Sequence, residues 1–112
     1  MVNEASMSEF VLVISTVPKE EDGKRIAEKL VTERLAACVN LSSAVQSFYW
    51  WQDSLSSDRE FMVFIKTRKA LYPQLERRIR ELHPYEVPEI IGLCLSQGSQ
   101  TYLDWIKKET LA

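Results

Sequence analysis

Thirteen consecutive residues, Val39 to Trp51, read as one extended run, and that run is longer than the body this chain can build. At about 3.3 Å per residue it spans roughly 43 Å. A spherical globule of 112 residues has a radius of gyration near 13 Å and a diameter of about 34 Å. The distal part must therefore project, unless a bend at Ser42-Ser43 folds it back. Its end is not polar: Phe48, Tyr49, Trp50 and Trp51 stand in succession, and neighbouring strand side chains point to opposite faces. A two-stranded arm cannot bury aromatics on both faces by itself, and isolated hairpins are barely stable in water. Contiguous exposed apolar surface marks an interaction site. These four aromatics are accordingly expected at a subunit interface, with each arm lying on a neighbouring copy and covering strand edges as well.

The rest of the chain supplies the body from which the arm leaves. Phe10-Val-Leu-Val-Ile14 has the dense β-branched pattern of a central strand buried on both faces, and Pro18 ends it. From Lys19 to Leu35 the apolar residues Ile26, Ala27, Leu30, Val31 and Leu35 keep helical spacing. Glu20, Glu21 and Asp22 fall in the first turn, where negative charge suits the helix dipole. After the extended run from Ala36 to Trp51, Gln52 to Asp58 is a turn by composition. Arg59 to Thr67 returns as the second strand of the hairpin. Leu71, Leu75, Ile79 and Leu82 predict a second helix with Pro73 in its first turn and Pro84 at its end. Glu89 to Ser96 is the last strand, with Cys94 packed in it. Thr101 and Asp104 resemble a capping box for a terminal helix carrying Tyr102, Leu103, Trp105 and Ile106.

The order β-α-β-β-α-β, joined by right-handed crossovers, predicts an α+β, ferredoxin-like sandwich. Four antiparallel strands carry two helices on one face, with a C-terminal helix and a long protruding β-hairpin. Residues 1–8 are expected to form a flexible tail and residues 9–112 a single domain.

Composition narrows the partners. Sixteen acidic residues against fourteen basic ones leave a net charge of −2 with the signs interspersed. No basic stripe therefore offers a footprint for nucleic acid or an anionic membrane. The start lacks a secretory pattern, and no apolar run is long enough to cross a bilayer. Cys38 and Cys94 are expected as reduced thiols in a cytoplasmic protein.

Three functions of the same topology fail on their residues. An acylphosphatase needs a phosphate cradle, whereas Thr16 to Gly23 is acidic with one glycine. An RNA-recognition module needs small residues in its third strand that Arg59-Glu-Phe-Met-Val-Phe-Ile-Lys66 lacks. A heavy-metal carrier needs Cys-x-x-Cys, which is absent. No Gly-rich loop or nucleophile–base motif marks an enzyme, and no cofactor is required.

Five blocks carry a resemblance: Glu33-Arg-Leu-Ala-Ala-Cys-Val-Asn40, Phe48-Tyr-Trp-Trp51, Ile65-Lys-Thr67, His83-Pro-Tyr-Glu-Val-Pro-Glu89 and Tyr102-Leu-Asp-Trp105. In order and spacing, from about Phe10 to Ile106, the chain resembles the CutA family of divalent-cation tolerance proteins. The resemblance implies a homotrimer of ferredoxin-like subunits, similar to the PII signalling proteins, whose hairpins wrap around adjacent subunits. It also implies a non-enzymatic role in tolerance of copper and other divalent cations. Members that bind copper look to have a cysteine where this chain has Ser15 and a second histidine where it has Leu82. His83, with Cys38, remains as the metal candidate, a sparse donor set for a soft or borderline metal.

Read without the family, His83 is a helix C-terminal residue that satisfies the last carbonyls, and Cys38 is a small buried packer. Glu60, Lys66, Tyr85 and Glu89 form the other candidate set. The first two flank the apolar run of a strand, and the loop from Pro84 to Pro88 is stiff. They are expected either to line a cleft between subunits or to act as a structural salt bridge beside a rigid turn. The alternative function is a PII-like small-molecule sensor or signalling adaptor, its ligand held between subunits.

Overall fold

The computed structural model describes residues 9–112; the expected tail, 1–8, lies outside them. In chain order the elements are β1 (Phe10–Val17), α1 (Glu20–Thr32), β2 (Cys38–Trp51), β3 (Ser54–Arg68), a 3-10 turn (Lys69–Leu71), α2 (Tyr72–Leu82), β4 (Ile91–Cys94) and α3 (Gln100–Glu109). The sheet runs β2-β3-β1-β4 with every neighbouring pair antiparallel, which is the ferredoxin-like arrangement.

Alternation along the strands sets two unlike faces. Val11, Val13, Ser15 and Val17 of β1 lie opposite Thr67, Ile65, Val63 and Phe61 of β3. Ile26 and Leu30 of α1 and Leu75 and Ile79 of α2 close over this face and are fully buried, with Phe61 partly buried at its edge. The other face carries Leu12, Ile14, Met62 and Phe64, with Ile91 and Leu93 of β4 beside them. Only its Lys66–Arg68 end is met by α3, where the Lys66 ammonium stands 5.7 Å from the Tyr102 ring centre and Arg68 Nε donates to Thr110 Oγ1 at 3.0 Å. β1 is thus fully covered on one face and not on both: Leu12 and Ile14 are half-buried, and Ile91 and Leu93 are about half exposed, at 51% and 49%. Cys94 is exposed rather than packed, because β4 is a four-residue edge strand with no strand beyond it.

The hairpin is longer than its composition foretells. β2 and β3 stay paired out to Trp50 opposite Leu55 and Trp51 opposite Ser54. The turn is Gln52-Asp53 alone, with φ of 48° and 64°, the left-handed pair of a two-residue hairpin turn. Ser54 to Asp58, expected as turn, is strand: pairing with β2 decides its conformation, and polar side chains suit an arm facing solvent.

A bulge does occur at Ser42-Ser43, between Leu41 and Ala44, and there the Met62 amide donates to Ser42 Oγ at 2.8 Å in place of a ladder bond. The bulge kinks the ribbon without folding it back. The molecule measures 46 × 34 × 23 Å, and its radius of gyration of 15.0 Å exceeds the ~13 Å of a compact body this size.

Helix ends shift by local chemistry. α1 stops at Thr32 and not at Leu35, because Arg34 enters the left-handed region at φ 61°. α3 is capped by Ser99, whose hydroxyl accepts from the Tyr102 amide at 3.4 Å, two residues before the expected Thr101. Pro73 lies in the first turn of α2, as its missing N–H requires.

Candidate functional site

The root of the arm is where charged and polar groups gather. Glu60 sits at the start of the sheet-bound part of β3 and is only 8% exposed. The Tyr85 hydroxyl donates to its Oε2 at 3.0 Å. Tyr85 belongs to the segment between α2 and β4, which contains Pro84 and Pro88 and forms neither helix nor strand.

His83 fixes that segment. Its amide closes α2 on the Ile79 carbonyl at 2.8 Å, and its ring is buried. The Tyr85 amide donates to Nδ1 at 3.0 Å, and Nε2 lies 2.7 Å from the Thr16 carbonyl. An amide only donates and a carbonyl only accepts, so the proton is on Nε2 and the ring is neutral. The imidazole and phenol rings lie 5.0 Å apart, tilted by 47°.

The electrostatics here are one-sided. Partial burial, and then the Glu60 carboxylate, push the Glu89 carboxyl above the usual range. Burial, and then the bond to Glu60, raise the Tyr85 phenol. Further along the arm Tyr49 donates to Asp58 Oδ2, a bond that raises the Tyr49 phenol. Glu60, Tyr85 and Glu89, with Tyr49 and Asp58 adjoining, therefore make one acidic group. Tyr49 was expected only as an apolar contact, and Asp58 as part of a turn. Their pairing becomes visible once the hairpin register puts Tyr49 opposite Ser56, two residues from Asp58, which is then its diagonal neighbour on the same face.

Lys66 is not with them. It lies six positions further along β3, about 20 Å at about 3.3 Å per residue, over the Tyr102 ring. Two open hollows of about 480 Å³ and about 310 Å³ lie elsewhere and include none of the four residues.

The metal candidates stand apart as well. Cys38 is opposite Lys66, with Sγ 3.8 Å from Asn40 Oδ1. His83 is bonded to Thr16, which is opposite Met62. Four strand positions, about 13 Å, separate these two rungs. Ser15 is buried beneath the helices, on the face away from Cys38. Among the described residues no three His, Cys, Asp or Glu donors converge as metal ligands do. At the tip of the arm, Trp50 is 74% exposed and Phe48 69%, on one face with Leu55, while Tyr49 and Trp51 hold the other.

Comparison with known proteins agrees with this architecture. The CutA1 family, described as CutA1 divalent ion tolerance protein, matches residues 11–109. The divalent-cation tolerance protein CutA of Thermus thermophilus is 45% identical over 104 residues, covering 93% of this chain and 99% of that one. The chloroplastic protein CutA 1 of Oryza sativa is 41% identical over 100 residues, 89% of this chain but 56% of the longer plant protein. Among solved structures, the Thermus thermophilus protein has 44% identity and a TM-score of 0.88, with 90% of this chain and 98% of that one covered. CutA1 from Shewanella sp. SIB1 has 37% identity and a TM-score of 0.91, with 94% and 98% covered.

Proposed function

Because this chain belongs to the CutA1 divalent ion tolerance protein family, we propose that it works as a non-enzymatic homotrimer in tolerance of divalent cations, copper among them. The observation that carries this reading is the arm, whose Phe48, Trp50, Trp51 and Leu55 stand open to solvent on a ribbon that cannot shelter them. The half-open sheet face with Ile91 and Leu93 adds apolar surface that a second copy would cover. Sedimentation equilibrium at micromolar protein tests it. The expected species has three times the 13.0 kDa chain mass, and a 13.0 kDa species overturns the assembly.

In this reading cation contact is weak and does not run through Cys38 and His83, since both imidazole nitrogens are already bonded. Copper titrated into the parent and into His83→Ala should give the same weak heat; loss of binding in the variant would reinstate the histidine. The free thiols of Cys38 and Cys94 support a reducing, cytoplasmic setting. One observation favours a second reading, a PII-like sensor: Glu60, Tyr85 and Glu89 collect at the arm root, where a neighbouring subunit would close a ligand cleft.

A further inference from the structure

At the end of the sheet away from the arm root, Arg68 closes β3 opposite Phe10 of β1. Seven positions of β3, about 23 Å at about 3.3 Å each, separate it from Phe61. The larger of the two hollows, about 480 Å³, opens here between Glu9, Arg68, Lys69, Ala70 and Pro73. One subunit supplies all five, and neither the arm aromatics nor Ile91 and Leu93 line it.

The guanidinium of Arg68 is only partly satisfied. Its Nε donates to Thr110 Oγ1 at 3.0 Å, while Nη2 is closed off from the surface and has no acceptor among the described residues. Arginine keeps its charge at every ordinary pH, and a buried charged donor without an acceptor is costly. Arg68 borders this hollow and not the other, so this is the space from which an acceptor can come.

The surroundings suit an anion. α2 starts at the hollow: the 3-10 turn Lys69–Leu71 runs into Tyr72 and Pro73, no side chain caps either start, and neither first turn holds an acid. An uncapped helix start leaves N–H groups unsatisfied and carries partial positive charge. Lys69 adds a full one. Glu9 is the one acid of the lining, and its exposed carboxylate lies 3.8 Å from Lys107 Nζ, which offsets it.

The planar fork of an arginine matches a phosphate, and a helix start favours one. About 480 Å³ is room for more than a bare ion. We propose that this hollow binds a small phosphorylated organic molecule, its phosphate held by Arg68 at the start of α2 and its carbon part against Ala70 and Pro73. Binding here requires neither the trimer nor a bound cation.

The test is a titration of the full chain with inorganic phosphate, phenyl phosphate and acetate, at constant ionic strength balanced with chloride. At about pH 7.5 phosphate is mainly dianionic. The backbone amide signals of Ala70 and Leu71 should shift and saturate with both phosphates, at lower concentration with the ester, and shift less with acetate. Those of Val13 and Ile65 in the core should stay. Arg68→Lys keeps the charge without the fork and should weaken phosphate about tenfold, the factor carried by one charged hydrogen bond. Glu9→Gln removes only an exposed acid and should tighten it about threefold.

Shifts that never saturate, or that acetate reproduces at the same concentration, overturn the phosphate site. Inorganic phosphate binding as tightly as the ester overturns the place given to Ala70 and Pro73. An Arg68→Lys chain that keeps its core amides and binds like the parent overturns the role of Arg68. If that variant misfolds, the parent and Glu9→Gln decide alone, and a Glu9→Gln chain that binds no more tightly counts against the hollow.

Discussion

The Thr67 hydroxyl, on a side chain with no solvent exposure, donates to the Leu35 carbonyl at 2.7 Å. That carbonyl lies between α1 and β2, and two residues later the Ala37 amide bonds to the Lys66 carbonyl at 3.0 Å. β3 therefore steers the chain into β2 before their ladder begins at Cys38. Thr67→Val keeps the shape and strands a buried acceptor, which costs about 1–3 kcal/mol. Thermal melts at one fixed protein concentration should show the loss, and Thr67→Ser, which keeps the donor, should recover part of it. A valine variant that melts with the parent would mean that the bond adds nothing.

Arg34 closes α1 in a conformation that glycine prefers. Its amide bonds to the Val31 carbonyl at 3.0 Å, and the Leu35 amide to the Leu30 carbonyl at 3.0 Å, the paired bonds of a Schellman end. At φ 61° a residue with a Cβ is strained by about 1 kcal/mol. Its guanidinium also pairs with Glu109 at 2.9 Å, an exposed contact of small worth. In a Glu109→Ala background that pair is gone and only the longer, 3.3 Å bond from the guanidinium to the backbone carbonyl of residue 109 is left, so Arg34→Gly should raise the melting temperature. An unchanged or lower melt would show that the side chain does more than the backbone needs.

The order of elements was legible because it rests on local periodicity: the β-branched run at Phe10–Ile14 and the fourfold spacing of Leu71, Leu75 and Ile79 each mark their element without help from elsewhere. What escaped was set by partners distant in the chain. Ser54 to Asp58 is polar and turn-like in isolation, and becomes strand only because Ser47 to Trp51 pairs with it. β1 reads as buried on both faces because hydrophobicity alone does not reveal that the face carrying Leu12 and Ile14 is only half-buried.

The candidate site divides in the same way. Glu60, Tyr85 and Glu89 were readable from a stiff loop and a charge beside an apolar run. Lys66 shares a sheet face with Glu60 but stands too far along it, and the Thr16 carbonyl that holds His83 lies 67 residues away in sequence.

Trp50 and Trp51 point to opposite faces of the arm, so each reports on a different side of it. Trp50→Ala and Trp51→Ala remove large aromatics that are mostly solvent-exposed in the lone subunit. Removing them should cost the isolated fold little. In an assembly that buries them, each loss is on the order of 3 kcal/mol per copy, and both the sedimenting mass and the melting temperature should fall, the latter more at lower protein concentration. If either variant sediments and melts like its parent, that face of the arm touches no neighbour.

Glu89 ties stability to pH in a direction opposite to most carboxylates. Partial burial and then the Glu60 charge raise its pKa, so the folded state favours its protonated form. A group of this kind contributes most below its unfolded pKa, and its contribution is lost as pH rises through the folded value. At neutral pH the ionised Glu89 therefore opposes folding beside Glu60. Glu89→Gln keeps the shape and removes the charge at every pH. The variant should melt above the parent at about pH 7, and the gap should close as the pH falls to about 4, where a free glutamate takes up its proton. A gap of the same size at both ends of that range, or a variant that melts below its parent at neutral pH, would mean that Glu89 makes a favourable contact as an anion.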